Sequence, residues 1–253
     1  MMEAKNVSFF YGRTPCLKNI DLCFEPGKLY AVIGPNGSGK TTLIRLLAGL
    51  AKPKTGTLTL DGKEYADFSR KEFARKTALL PQGRNVPNTS VFDLVSCGRY
   101  PWLDLSRRLT EDDLSVVRSA LTVTDTACFS QRNVKTLSGG QRQRVYMAML
   151  YAQDTPYVLL DEPSTHLDIA GGFDIMEQLV QMKQTGKCVI TVLHDLNMAM
   201  KYADELILMH HGEAVLCSGP ETLIQSGLLE EAFHVKCTSV CLDGEIEYVF
   251  SRK

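Results

Sequence analysis

The chain contains no apolar run long enough to cross a bilayer. Its longest, Val145–Ala152, is eight residues, whereas a spanning helix needs about 20. The opening residues MMEAKNVSFF carry Glu3 and no apolar stretch of signal-peptide length, so no secretory signal is expected. Charge of one sign is also missing. Against 28 basic residues stand 29 acidic ones, a formal net charge of −1. No global field exists to steer the protein onto nucleic acid or anionic lipid, which argues against either as its main partner. The eight cysteines, at 16, 23, 97, 128, 188, 217, 237 and 241, include no CxxC. Cys237 and Cys241 are the closest pair, and no second ligand pair follows them. Buried thiols in a reducing compartment are expected, rather than a disulfide or zinc framework. Repeats and low-complexity tracts are absent too. With 44% hydrophobic residues the chain is not disordered, and the expectation is a soluble cytoplasmic protein.

At 253 residues and about 150 per domain, one large domain with an insertion is expected. Four short apolar runs, Leu29–Ile33, Val158–Leu160, Val189–Leu193 and Glu205–Met209, alternate with helical patterns. That is the pattern of a buried parallel sheet in an α/β fold. Thr55–Lys63 alternates more cleanly, with Asp61-Gly62 as a turn, and predicts a separate antiparallel layer. Between about Gly83 and Asp154 such strands are missing, and helices are predicted over Thr110–Leu121 and Gln141–Gln153. The polar stretch Asp104–Asp113, with arginines at 107 and 108, reads as a solvated loop and helix start with Thr110 as N-cap.

The run Gly34, Pro35, Asn36, Gly37, Ser38, Gly39, Lys40, Thr41 matches G-x-x-x-x-G-K-[ST] directly after Tyr30–Ile33. Glycines let the backbone curl so that N–H groups point at phosphate oxygens. Lys40 suits the β- and γ-phosphates, and the Thr41 hydroxyl can ligate Mg²⁺. A helix follows, ending near Gly49, so its positive N-terminus faces the anion. These residues predict a site for a nucleoside triphosphate. The strand-like Val158–Leu160 ends in Asp161 and Glu162. Asp161 suits a holder of Mg²⁺ from the outer shell or through a water, and Glu162 a base for an attacking water. A second anion-binding helix start, Ser138, Gly139, Gly140 and Gln141, has no obvious use for a single triphosphate. It is therefore expected to serve a nucleotide held by another copy.

With these residues in view, the chain resembles the ATP-binding subunits of ABC transporters over nearly its whole length. LSGGQ (137–141) is similar to that family's signature, YVLLDE (157–162) to its Walker B with catalytic glutamate, and Gly34–Thr41 to its Walker A, beside Thr42. Gln82 corresponds to the Q-loop residue, which also reaches the metal. STHLD (164–168), with Asp168, corresponds to the D-loop, His194 to the switch histidine, and Tyr11 to the aromatic stacked on adenine. After the signature, Met-Ala-Met stands where relatives often carry an arginine-alanine pair, while Arg144 is retained. The resemblance implies an α/β fold: a P-loop NTPase (RecA-like) core from 1–83 and 155–253, with an N-terminal antiparallel layer and a helical signature subdomain over 84–154. It implies Mg²⁺-dependent ATP hydrolysis by a homodimer that encloses two ATP molecules. It further implies a peripheral place on the cytoplasmic face of the inner membrane, beside separate permease subunits linked to a substrate-binding protein.

Segments such as SVFDLVSCGRYPW, STHLDIA and VLHDLNMAMKYADELILMHHGE resemble ATPases of iron–siderophore, haem and vitamin B12 importers. Zinc or manganese importers share part of this pattern and are the alternative; a non-transport ABC ATPase is a further one. Val91–Trp102 has two readings, a groove for a permease helix and internal packing. His210, His211 and His234 read as solvated surface.

Overall fold

The structure is a computed structural model that describes residues 1–104, 108–165, 167–242 and 244–252. Arg107 of the charge cluster and His166 of the expected D-loop lie outside the described residues. In chain order, β1 is Met2–Tyr11, β2 Thr14–Phe24, β3 Leu29–Ile33, α1 Lys40–Leu47, β4 Thr55–Leu60, β5 Lys63–Glu64, α2 Arg70–Lys76 and β6 Thr77–Leu80. The helical stretch follows: α3 Val91–Ser96, α4 Glu111–Val123 and α5 Gly139–Gln153. Then come β7 Tyr157–Asp161, α6 Ile169–Gln184, β8 Cys188–Val192, α7 Leu196–Tyr202, β9 Glu205–His210, β10 Glu213–Ser218, α8 Pro220–Gln225, α9 Leu228–Phe233, β11 Val235–Leu242 and β12 Glu245–Arg252.

Two sheets carry the architecture. One is antiparallel in the order β2-β1-β4-β5; the other has the order β10-β9-β3-β8-β7-β6, with only β10 antiparallel. A parallel sheet must be covered on both faces, and alternation along its strands does this. Tyr30, Val32, Leu159 and Ile190 pack with α1 and the antiparallel layer. Their neighbours Ala31, Ile33, Val158, Leu160 and Val189 pack with α4, α5, α6 and α7. The expected P-loop NTPase architecture is present, with its antiparallel layer and helical stretch. No described helix is long and apolar enough to cross a membrane.

Local chemistry sets the helix ends. Thr110 caps α4 and Ser138 caps α5, each in a reciprocal box with the residue three positions on, Asp113 and Gln141. Because Ser138 is the cap, α5 begins two residues before the predicted Gln141. One expectation fails: Cys23, Cys128, Cys217 and Cys241 are exposed, although all eight cysteines are free. Alternation along β2, β10 and the β11–β12 hairpin turns the thiols of Cys23, Cys217 and Cys241 outward despite apolar neighbours in sequence. His211 and His234 are exposed as expected, whereas His210 ends β9 half-buried.

Candidate active site

Four adjacent parallel strands, β3, β8, β7 and β6, each end in a segment singled out by sequence. The pairs Val32↔Val192, Val192↔Asp161 and Leu160↔Leu80 put their carboxyl ends level. Three interstrand steps of about 4.8 Å span about 14 Å, so Gly34–Lys40, His194, Asp161-Glu162 and Gln82 share one sheet edge. Ligands of open α/β sheets bind at such edges.

After β3 the chain turns through Gly34, whose φ of +150° suits only glycine. A Cβ there would stand 2.2 Å from the Met209 carbonyl oxygen. Gly39, at φ +103°, starts α1, and a Cβ would meet Leu17 Cδ2 at 2.6 Å. The loop is thereby drawn tight over Lys40, which is 6% exposed. Its ammonium donates to the carbonyls of Gly34 at 2.7 Å and Pro35 at 3.0 Å. Burial lowers the Lys40 pKa, and the charges of Glu162 and Asp161 oppose that shift. Ser38 Oγ is buried with no partner. Thr41 donates to Asp161 Oδ1 at 3.2 Å, and burial pushes the Asp161 carboxyl above the usual carboxylate range. A buried cation, a free hydroxyl and a hydroxyl–carboxylate oxygen pair in a loop held tight at Gly34 and Gly39 fit a polyphosphate with a hard divalent cation.

Glu162 is the node of the site. One carboxylate oxygen lies 2.6 Å from His194 Nε2; the other accepts from Gln82 Nε2 at 2.5 Å and from Thr165 Oγ1 at 3.1 Å. Its backbone is left-handed, φ +54°, a conformation that costs a non-glycine residue about 1–2 kcal/mol. Pro163 follows and already disfavours the right-handed helical region. Sequence reasoning did not single out this conformation or the Thr165 bond, since a following proline favours extended backbone rather than the left-handed region. Tyr11 ends β1 half exposed, its hydroxyl 3.4 Å from Thr42 Oγ1.

The signature residues lie elsewhere. Ser138, Gly139, Gly140 and Gln141 open α5 and line a groove of about 440 Å³ with Arg144, Leu167 and Asp168. No residue of Gly34–Thr41 lines it. Asp168 caps α6, accepting from the Gly171 amide at 2.8 Å. Of Val91–Trp102, the residues Val91, Leu94 and Val95 pack inward, which favours internal packing for them. Tyr100 and Trp102 stay exposed, Trp102 donating to the Gln153 carbonyl at 2.7 Å.

The comparisons fit this geometry. The family model described as ABC transporter matches residues 17–165, more than half of the chain. The chain belongs to the ABC transporter ATP-binding family. Among its relatives, the petrobactin import ATP-binding protein FpuD of Bacillus anthracis is 37% identical over 238 residues, 93% of this chain and 87% of that one. The ferric enterobactin transport ATP-binding protein FepC of Escherichia coli K12 is likewise 37% identical, covering 93% and 88%. A dimeric structure of a bacterial ABC transporter cassette superposes with a TM-score of 0.76 at 27% identity, covering 87% of this chain and 99% of that one. A metal-chelate type ABC transporter in an inward-facing conformation gives a TM-score of 0.85 at 24% identity, covering 99% and 96%, and speaks for the ABC fold alone.

Proposed function

We propose that this chain is the ATP-hydrolysing subunit of an ABC importer for iron–siderophore-type chelates, working as a dimer with two ATP molecules between its copies. The observation that carries the reading is the Glu162 carboxylate, held by Gln82, Thr165 and His194 beside buried Lys40 and Asp161. In this reading Tyr11 stacks on the adenine. Residues Gly34, Pro35, Asn36, Gly37, Ser38, Gly39, Lys40, Thr41 and Thr42 bind the phosphates. The Lys40 ammonium exchanges its loop carbonyls for phosphate oxygens, because a charged acceptor bonds more strongly. Thr41, Asp161 and Gln82 would hold Mg²⁺, which neutralises phosphate charge when bound. Glu162 orients a water and takes its proton as the water oxygen bonds to the γ-phosphorus and the bond to ADP breaks. His194 steadies that carboxylate.

Ser138, Gly139, Gly140 and Gln141, with Asp168, complete the partner copy's pocket. Their groove is lined by no residue of their own chain's Gly34–Thr41, which supports this half of the reading. Residues 84–154 act as a helical unit over the 1–83 and 155–253 core, and the exposed Tyr100 and Trp102 meet a separate permease at the cytoplasmic face of the membrane. The likeness to FpuD, a petrobactin import protein, and FepC, a ferric enterobactin transport protein, supports a siderophore cargo, reached indirectly through a substrate-binding protein. Replacing Glu162 by Gln tests the chemistry. Phosphate release should fall by at least about 100-fold, since general-base removal costs about 10²–10⁴, with ATP affinity retained. Hydrolysis at the wild-type rate would refute the assignment of the base.

A further inference from the structure

Two residues beyond Gln82 stands an arginine with no part in the chemistry above. Arg84 lays its guanidinium 4.2 Å from the centroid of the Tyr146 ring and donates from Nη2 to Gln143 Oε1 at 2.8 Å. Both partners sit on α5, the helix whose first residues are the signature glycines, and each is 7% exposed. Gln82 and Arg84 thus join two parts of the molecule, one bonded to Glu162 and the other to α5. A cavity of about 290 Å³ is lined by Gln82, Arg84, Gln143, Tyr146, Glu162 and Gly139, so this path from the carboxylate to the signature is continuous.

The joint is not a saturated one. Arg84 Nη1, Gln143 Nε2 and the Tyr146 hydroxyl are all buried without a hydrogen-bond partner. Buried polar atoms are nearly always paired, and a network that leaves three unpaired is under-satisfied in this arrangement. Those unpaired atoms leave the contact between the loop and α5 less firmly fixed than a fully paired one would be. Only a planar guanidinium can stack on a ring and bond along its edge at once; lysine cannot.

Resting on the reading of Gln82, Glu162 and the signature given above, we propose that Arg84 is a positioning residue for hydrolysis, clamping the loop that carries Gln82 to the helix that carries Ser138–Gly140. A shift of Gln82 is then passed to the signature helix, which must close on the partner's nucleotide. Arg84 touches no substrate; it acts through α5.

The test uses the full chain and steady-state ATPase kinetics, with ATP affinity measured separately by nucleotide titration. Arg84→Met and Tyr146→Leu should each lower kcat about tenfold, within the range of coupling carried by such networks, and leave ATP affinity within about twofold. The double variant should lose no more than either single one, because both break the same clamp. Arg84→Lys should behave like Arg84→Met, and Tyr146→Phe, which keeps the ring, like the wild type. If Tyr146→Leu fails to fold, Gln143→Leu replaces it in the cycle with the same expectation. Wild-type kcat in Arg84→Met, full activity in Arg84→Lys, multiplying losses in the double variant, or affinity falling in step with kcat would each overturn the clamp alone. An inert wild-type protein would overturn the ATPase reading and the clamp with it.

Discussion

At the scale of single residues, the site holds conflicts that folding alone would not select. Glu162 is forced into a left-handed backbone, and such strain concentrates at functional positions. Asp161 is 4% exposed, and burial raises its pKa. A carboxyl whose folded pKa is raised stabilises the fold below its unfolded pKa, and loses that contribution as pH rises through the folded one. Asp161→Asn should therefore raise the thermal midpoint of the nucleotide-free protein at pH 7–8 by about 2–4 °C, on the order of 1 kcal/mol. The gain should shrink toward acid pH, where the aspartate takes up its proton, and hydrolysis should be lost throughout. Scanning calorimetry across pH checks the sign, and a gain that grows as the pH falls would contradict it. Lys40 is the mirror case, since burial works against its charge and a bound polyphosphate restores it. Lys40→Ala should abolish measurable nucleotide binding in a titration that the wild type saturates.

Among elements, the helix caps separate stability from activity. Thr110 and Ser138 make the same reciprocal box, at α4 and α5. Thr110→Ala should cost about 1 kcal/mol in urea unfolding with ATPase activity unchanged. Ser138→Ala should cost a similar amount and also depress hydrolysis, because in the proposed dimer its hydroxyl and the amides behind it face the partner's nucleotide. Equal activity in the two variants would remove Ser138 from the site. The core strands, the P-loop and the Thr110 cap were legible because each is written in contiguous residues, whereas Ser138 was read as part of an anion-binding helix start and not as the cap of α5. Elements that depend on distant partners were not. The strand Thr77–Leu80 is four residues long and is a strand through its pairing with Tyr157–Leu160. Along Met2–Tyr11 the alternation is broken by shifts of register against Thr14–Phe24. The hairpin Val235–Leu242 with Glu245–Arg252 mixes polar and apolar residues, and it forms where Tyr248 and Phe250 pack on the core. The Glu162 cluster was legible residue by residue, but its bonds join positions 82, 162 and 194, which only the strand order brings together.

For the whole molecule, the decisive fact is a separation. The cradle Gly34–Thr41 and the signature Ser138–Gly140 both belong to this chain, yet the groove at the signature contains no cradle residue. On the proposed reading a monomer binds ATP on one side only, and the second set of donors has no nucleotide of its own to meet. In the function proposed above, two copies packed head to tail complete two sites, and hydrolysis removes the γ-phosphate contacts that join them, a ligand-driven shift between two arrangements. Solution scattering on the Glu162→Gln protein with ATP and Mg²⁺, in the presence of its permease partner where the isolated chains associate weakly, addresses this most directly. The account predicts that the scattering mass of the ATPase component doubles on adding ATP and returns to a single copy when ADP replaces it. A component that stays single under saturating ATP and Mg²⁺ would contradict it.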